Sequence, residues 1–168
     1  MDKRWVLIII IAVIGLGSMY MIIDNSMTVG SAITTFSKTT ITIPDGFSVE
    51  DTGNNVLELY NKNNNEKIQI YDLGKGNTVK KMHSNYTATL LEEQDFKNTT
   101  NKTFEMDDVN ISQTILTGEN DTIVVSSFYQ YKHTYIIFMS GYDDLNTTTQ
   151  DLDCILYTLR PDYKQSQD

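Results

Sequence analysis

Cysteine and histidine are nearly missing from this chain: Cys154, His83 and His133 are all that its 168 residues hold. One cysteine excludes an internal disulfide framework and any multi-cysteine metal site. Two histidines leave most metal-dependent and acid–base schemes short of parts. Basic charge is also scarce, with 13 Lys+Arg against 22 Asp+Glu and a formal net charge of −9. Such a chain is a poor polyphosphate binder, which argues against nucleic acid as a partner. No internal repeat of about 20–50 residues is visible. What remains is ordinary globular material: 40% hydrophobic and 10% aromatic residues in 19.2 kDa. That is room for one domain with its own core, plus an appendage.

The appendage stands first. Residues 5–23, WVLIIIIAVIGLGSMYMII, run without one ionisable side chain. As a helix they would reach about 28 Å, close to the hydrocarbon core of a bilayer. Lys3 and Arg4 precede the run and Asp24 follows it, an asymmetry that predicts the N-terminus in the cytoplasm and the rest outside. Trp5 and Tyr20 lie near its ends, where amphipathic rings prefer the interface. The expected partner of Trp5–Ile23 is therefore the membrane, crossed once. The rival is a cleaved signal peptide, whose apolar region is normally shorter. Both readings export residues 24–168, which keep 11 basic and 21 acidic residues for a net charge of −10.

The expected organisation is an anchor with a short cytoplasmic start (1–24), a Ser/Thr-rich spacer (25–38), an exported domain (39–162) and a tail (163–168). Within the domain, TTITI (39–43) alternates and Pro44-Asp45-Gly46 turns the chain. NVLELYN (55–61) and KIQIYD (67–72) flank a polar turn and read as a hairpin. Over 79–93 the spacing turns helical: Val79, Met82, Tyr86 and Leu90 form one stripe, with Asn77 or Thr78 as cap. VNISQTIL (109–116) is a further strand. Residues 121–132 and 134–140 are apolar on both faces, which suits the middle of a sheet. Leu152, Ile155, Leu156 and Leu159 mark a last helix over about 147–160, capped by Asn146 and stopped by Pro161. The fold class is α+β: a two-layer sandwich with a mostly antiparallel sheet of five or six strands and two covering helices.

These elements carry a resemblance. An opening strand into Pro44-Asp45-Gly46-Phe47, a hairpin, a helix, a long strand pair and a closing helix ending Leu-Tyr-Thr-Leu-Arg-Pro (156–161) together resemble the PsbP-like fold. More narrowly, the Asn/Ile/Lys-rich chain resembles small membrane-anchored proteins of that type from methanogenic archaea. PsbP is an extrinsic photosystem subunit and a related nuclear protein binds a small GTPase, so the resemblance implies interaction more than catalysis. None of their binding residues matches a position here.

Chemical motifs are few. Asn-x-Ser/Thr occurs at Asn85, Asn98, Asn101, Asn110, Asn120 and Asn146, each a glycosylation candidate in a host that modifies exported proteins. Asn98 and Asn101 read as a polar loop and Asn120 as a turn. His133 is expected exposed at a hairpin tip, His83 beside the helix stripe, and Cys154 as a structural thiol without a histidine partner. Gly74-Lys75-Gly76-Asn77-Thr78 lacks the spacing of a phosphate loop. Asp143, Asp144, Asn146, Asp151 and Asp153 miss the register of a calcium loop and read as helix-capping acidity. No catalytic residue, cofactor or metal is expected. The expected function is a non-enzymatic, membrane-anchored surface module contacting an envelope protein, a cell-wall polymer or a small ligand. The alternative is an envelope enzyme or its accessory subunit. Oligomeric state is left open.

Overall fold

The computed structural model describes residues 33–93, 96, 98–119 and 121–161. They fall within one compact unit, Ala32–Asp168. The run Trp5–Ile23, most of the 25–38 segment, Asn120 and the tail lie outside the described residues. Among those described, no helix is long and apolar enough to cross a membrane.

Among the described residues there are ten strands and two helices. In chain order they are β1 (Ile33–Phe36), β2 (Thr39–Thr42), β3 (Ser48–Thr52), β4 (Val56–Asn61), β5 (Glu66–Lys75), α1 (Val79–Glu93), β6 (Asn98–Met106), β7 (Val109–Thr117), β8 (Thr122–Gln130), β9 (His133–Ser140), α2 (Leu145–Thr158) and β10 (Arg160–Pro161). Seven strands form one antiparallel sheet in the order β3-β4-β5-β9-β8-β7-β6, and β1-β2-β10 form a separate small sheet. The α+β class stands, with seven strands in the main sheet rather than five or six.

Burial explains the strand order. β9 buries four consecutive residues, Thr134–Ile137, and β8 buries Val124–Phe128. Strands apolar on both faces need cover on both, and β9 lies at the centre of the sheet with β8 beside it. β4 alternates strictly, with Leu57, Leu59 and Asn61 inward, whereas the edge strand β3 is exposed throughout.

The two helices lie on opposite faces, so the two-layer expectation gives way to three layers. Leu152, Ile155, Leu156 and Leu159 of the α2 segment are fully buried against Leu57, Leu59, Ile68, Ile70, Ile137 and Met139, together with Phe36 and Ile41 of the small sheet. On the other face, Tyr86 and Leu90 of α1 pack on Leu116, Val125, Ile136 and Phe138. Alternation along β9 makes the division: Tyr135, Ile137 and Met139 face α2, while Ile136 and Phe138 face α1.

Three segments differ from expectation. Ile33–Phe36, placed in the spacer, pairs with β2 and buries Phe36, so the domain starts earlier than Thr39. Asn98 and Asn101, expected in a polar loop, lie on β6. Its backbone pairs with β7 along all nine residues, and such pairing needs no apolar side chains. Asp144, not Asn146, caps α2. Its carboxylate accepts the amides of Asn146 and Thr147 at 2.7 and 2.9 Å and the Thr147 hydroxyl at 2.7 Å. These bonds, the Thr147 hydroxyl first, hold its carboxyl below the usual range.

Three hairpins turn on two-residue loops: Ser37-Lys38, Asp107-Asp108 and Tyr131-Lys132. Both residues of each have positive φ, as a type I′ turn requires, yet none is glycine.

Candidate functional sites

β5 delivers Asp72 to a point where the β1–β2 turn, the end of β5 itself and β9 meet. Its side chain is 2% exposed. It accepts the Ser37 hydroxyl at 2.6 Å, the Gly74 amide at 2.8 Å and His133 Nδ1 at 2.8 and 2.9 Å. His133 was expected free at a hairpin tip. It is instead the first residue of β9, held by Asp72 and stacked on Tyr135 at 6.2 Å between centroids. The register of β5 against β9 shifts between Asp72 and Lys75, and that irregularity re-aims the strand end. An aspartate–histidine dyad is the orienting half of a nucleophilic relay. Here Ser37 donates to the carboxylate and not to the imidazole, so the serine is anchored rather than activated.

His83 sits on the sheet-facing side of α1. Its Nε2 meets Thr114 Oγ1 and its Nδ1 meets Ser127 Oγ, both at 2.8 Å. Thr114 spends its single proton on Asn101 Oδ1 at 2.6 Å, so it accepts from His83 Nε2–H, and Ser127 then donates to Nδ1. The bond to Thr114 puts a proton on Nε2, and in a neutral ring that leaves Nδ1 as the acceptor. Burial agrees, lowering the His83 pKa from its ordinary 6.5. Beside it an open groove of about 270 Å³ is lined by Asn101, Lys102, Thr103, Ser112 and Gln113. The sequence placed His83 next to the helix stripe; its bridge to β7 and β8 spans residues far apart in the chain.

Beyond the β9 end, Tyr142 donates to Asp151 at 2.8 Å. Burial raises the Asp151 carboxyl above the usual range, and the charges of Glu66 and Asp45 add to it. Burial raises the Tyr142 phenol as well. Glu66 is itself buried and accepts from Asn61 Nδ2 at 2.8 Å. Cys154 lies one turn along α2, where burial and the charges of Asp151, Asp45 and Asp153 all push its thiol up. That is the opposite of what a nucleophile needs. The acidic run splits between roles: Asp144 caps α2 and Asp151 binds Tyr142. No group of three or more potential metal ligands occurs among the described residues.

The strand-to-helix turn at Gly74–Thr78 uses its backbone structurally. The Gly76 amide donates to Lys132 O at 2.9 Å, Gly76 O accepts from Thr134 at 2.6 Å, and the Thr78 amide donates to Thr134 Oγ1 at 3.0 Å. Neither Asn77 nor Thr78 is used as a side-chain cap in these bonds. Of the sequons, Asn85 on α1, Asn101 on β6, Asn110 on β7 and Asn146 on α2 are exposed, and Asn98 opens β6. Asn101 is held through its oxygen by Thr114, which leaves its nitrogen outward.

No protein-family model matches the chain, and no curated protein matches it. Solved structures do. A crystal structure from Bacteroides thetaiotaomicron is 11% identical with a TM-score of 0.50 over 74% of this chain, and this chain spans under half (45%) of that one. At that identity the likeness is one of fold alone. The solution structure of cyanobacterial PsbP from Synechocystis is 11% identical over 74% of this chain and 87% of its own length, with a TM-score of 0.48.

Proposed function

We propose that this chain is a membrane-anchored, extracytoplasmic surface protein of the PsbP-like kind, akin to the small anchored archaeal proteins of that type. In this reading it crosses the membrane once, N-terminus inside, and works as a non-enzymatic binding module for an envelope protein or cell-wall polymer. One observation carries the non-enzymatic part: the groups best suited to chemistry are committed to neighbours from other elements. His83 is held at both ring nitrogens, His133 is clamped by a saturated Asp72, and Cys154 sits among carboxylates that disfavour its thiolate. The topology rests on the charge-free run Trp5–Ile23 with Lys3 and Arg4 before it. The exposed sequons Asn85, Asn101, Asn110 and Asn146 fit an exported surface.

The second reading, an envelope enzyme or accessory subunit, is favoured by Asp151 and the nearby buried Glu66, because a carboxyl raised by burial beside another is a common acid–base arrangement. Capture on immobilised Ala32–Asp168 from the protein's own envelope extract separates the two. A stoichiometric envelope partner whose retention survives Asp151→Asn supports the module. A partner lost with that single change supports the enzyme reading.

A further inference from the structure

An acidic chain is expected to be acidic all over, yet one end of this sheet is not. Lys75 pairs across from His133 at the end of β5, and Gly76 bonds to the carbonyl of Lys132 in the next turn. Lys38 follows Ser37, which is tied to Asp72 two residues before Gly74. Lys80 and Lys81 occupy the first turn of α1, whose start is fastened to the same hairpin through Thr78 and Thr134. They line an open groove of about 840 Å³ with Asn77, Ser84 and Asn85. All five lysines are exposed, and none of them is in an ion pair among the described residues. Tyr129 and Tyr131 project from the same hairpin, 37% and 41% exposed. The exposed carboxylates of this end are Asp51 on β3 and Asp107-Asp108 with Glu105 at the β6–β7 hairpin beside it, while Asp72 is buried and saturated.

We infer that this lysine-rich, tyrosine-tipped end is a docking surface for the anionic headgroups of a lipid bilayer. Clustered lysines are drawn to anionic lipid, and tyrosine favours the headgroup level, apolar ring inward and hydroxyl wet. The choice of lipid rests on the anchored reading proposed above. Nine residues, 24–32, separate the apolar run from β1, and at about 3.5 Å each they span at most roughly 30 Å. A bilayer surface is then held within reach of the domain at high effective concentration.

The test uses Ala32–Asp168, the compact unit without the apolar run, sedimented with vesicles of phosphatidylglycerol and phosphatidylcholine or of phosphatidylcholine alone. The domain should pellet with the anionic vesicles only and be released by about 0.5 M salt, which shortens screening to a few ångströms. Each lysine removed should weaken partitioning about fivefold, so Lys75→Gln with Lys132→Gln should cost about 25-fold. Lys62→Gln, in the β4–β5 turn at the other end, should change nothing. Thermal melts confirm that each variant is folded. Equal binding to neutral vesicles, absence of binding, or equal losses in the Lys62 variant would overturn the inference. So would retention on polyglutamate with no vesicle binding, which would point to an acidic polymer. Because the unit lacks the apolar run, its vesicle binding is decided independently of whether that run is a retained anchor.

Discussion

Replacing Asp72 with alanine removes one acceptor that three segments share. The β1–β2 turn loses the Ser37 bond, the β5 end loses the Gly74 bond, and β9 loses His133. Bonds to a charged acceptor contribute about 1.5–3 kcal/mol each. They do not add here, because half-buried His133 and Ser37 can turn to water once the carboxylate is gone. The Gly74 amide loses its acceptor outright while the other two exchange a charged acceptor for water, so about 2–4 kcal/mol is the expected loss for Asp72→Ala. Asp72→Asn keeps the shape and one acceptor oxygen but turns a donor toward one of the three donors, so about 1–2 kcal/mol is expected. The sole tryptophan, Trp5, lies outside the domain, so urea unfolding is best followed by circular dichroism. Ser37→Ala in the Asp72→Ala background should cost much less than alone, the signature of a shared network. A loss below about 1 kcal/mol for Asp72→Ala, equal losses for alanine and asparagine, or strict additivity with Ser37→Ala would refute the reasoning.

Further outcomes follow from the same geometry. A chain beginning at Thr39 lacks β1 with buried Phe36 and the Ser37 bond, so it should melt well below one beginning at Ala32. His83, lowered by burial, is neutral in folded and unfolded states above its ordinary pKa of 6.5. As pH falls below 6.5 the unfolded chain takes up a proton that the folded one resists, so stability drops until folded His83 also titrates. His83→Gln should flatten stability against pH just below 6.5, although its neutral-pH stability falls through the lost bonds. Lys132→Gly relieves a positive φ of 68° in the β8–β9 turn and should stabilise by about 0.5–1 kcal/mol, measured as an upward shift in urea midpoint.

Much of the fold was legible because its signals are local. Leu152, Ile155, Leu156 and Leu159 announce one buried helix face, and the two-faced run 134–140 announces a central strand. That β8 and β9 are apolar on both faces already implied cover on both, but nothing in either helix stripe says which face it takes. β6 was missed because NTTNKTFEM shows no alternation of apolar residues, and an edge strand is recruited by its backbone. The site chemistry was the least legible part. Asp72 meets His133 across 61 residues and Ser37 across 35, and His83 meets Ser127 across 44. No spacing rule reaches that far. The faint clue was His133 itself, following the Tyr131-Lys132 turn, where a two-residue loop puts the next residue on the strand rather than at the tip.

The central claim is that Ala32–Asp168 stands outside the membrane on a retained anchor, and protease added to intact cells tests it most directly. The account predicts that the domain is removed while an N-terminal stub containing Trp5–Ile23 stays with the membrane. A domain protected until the cells are ruptured, or a soluble mature chain starting near Ile33, would contradict it.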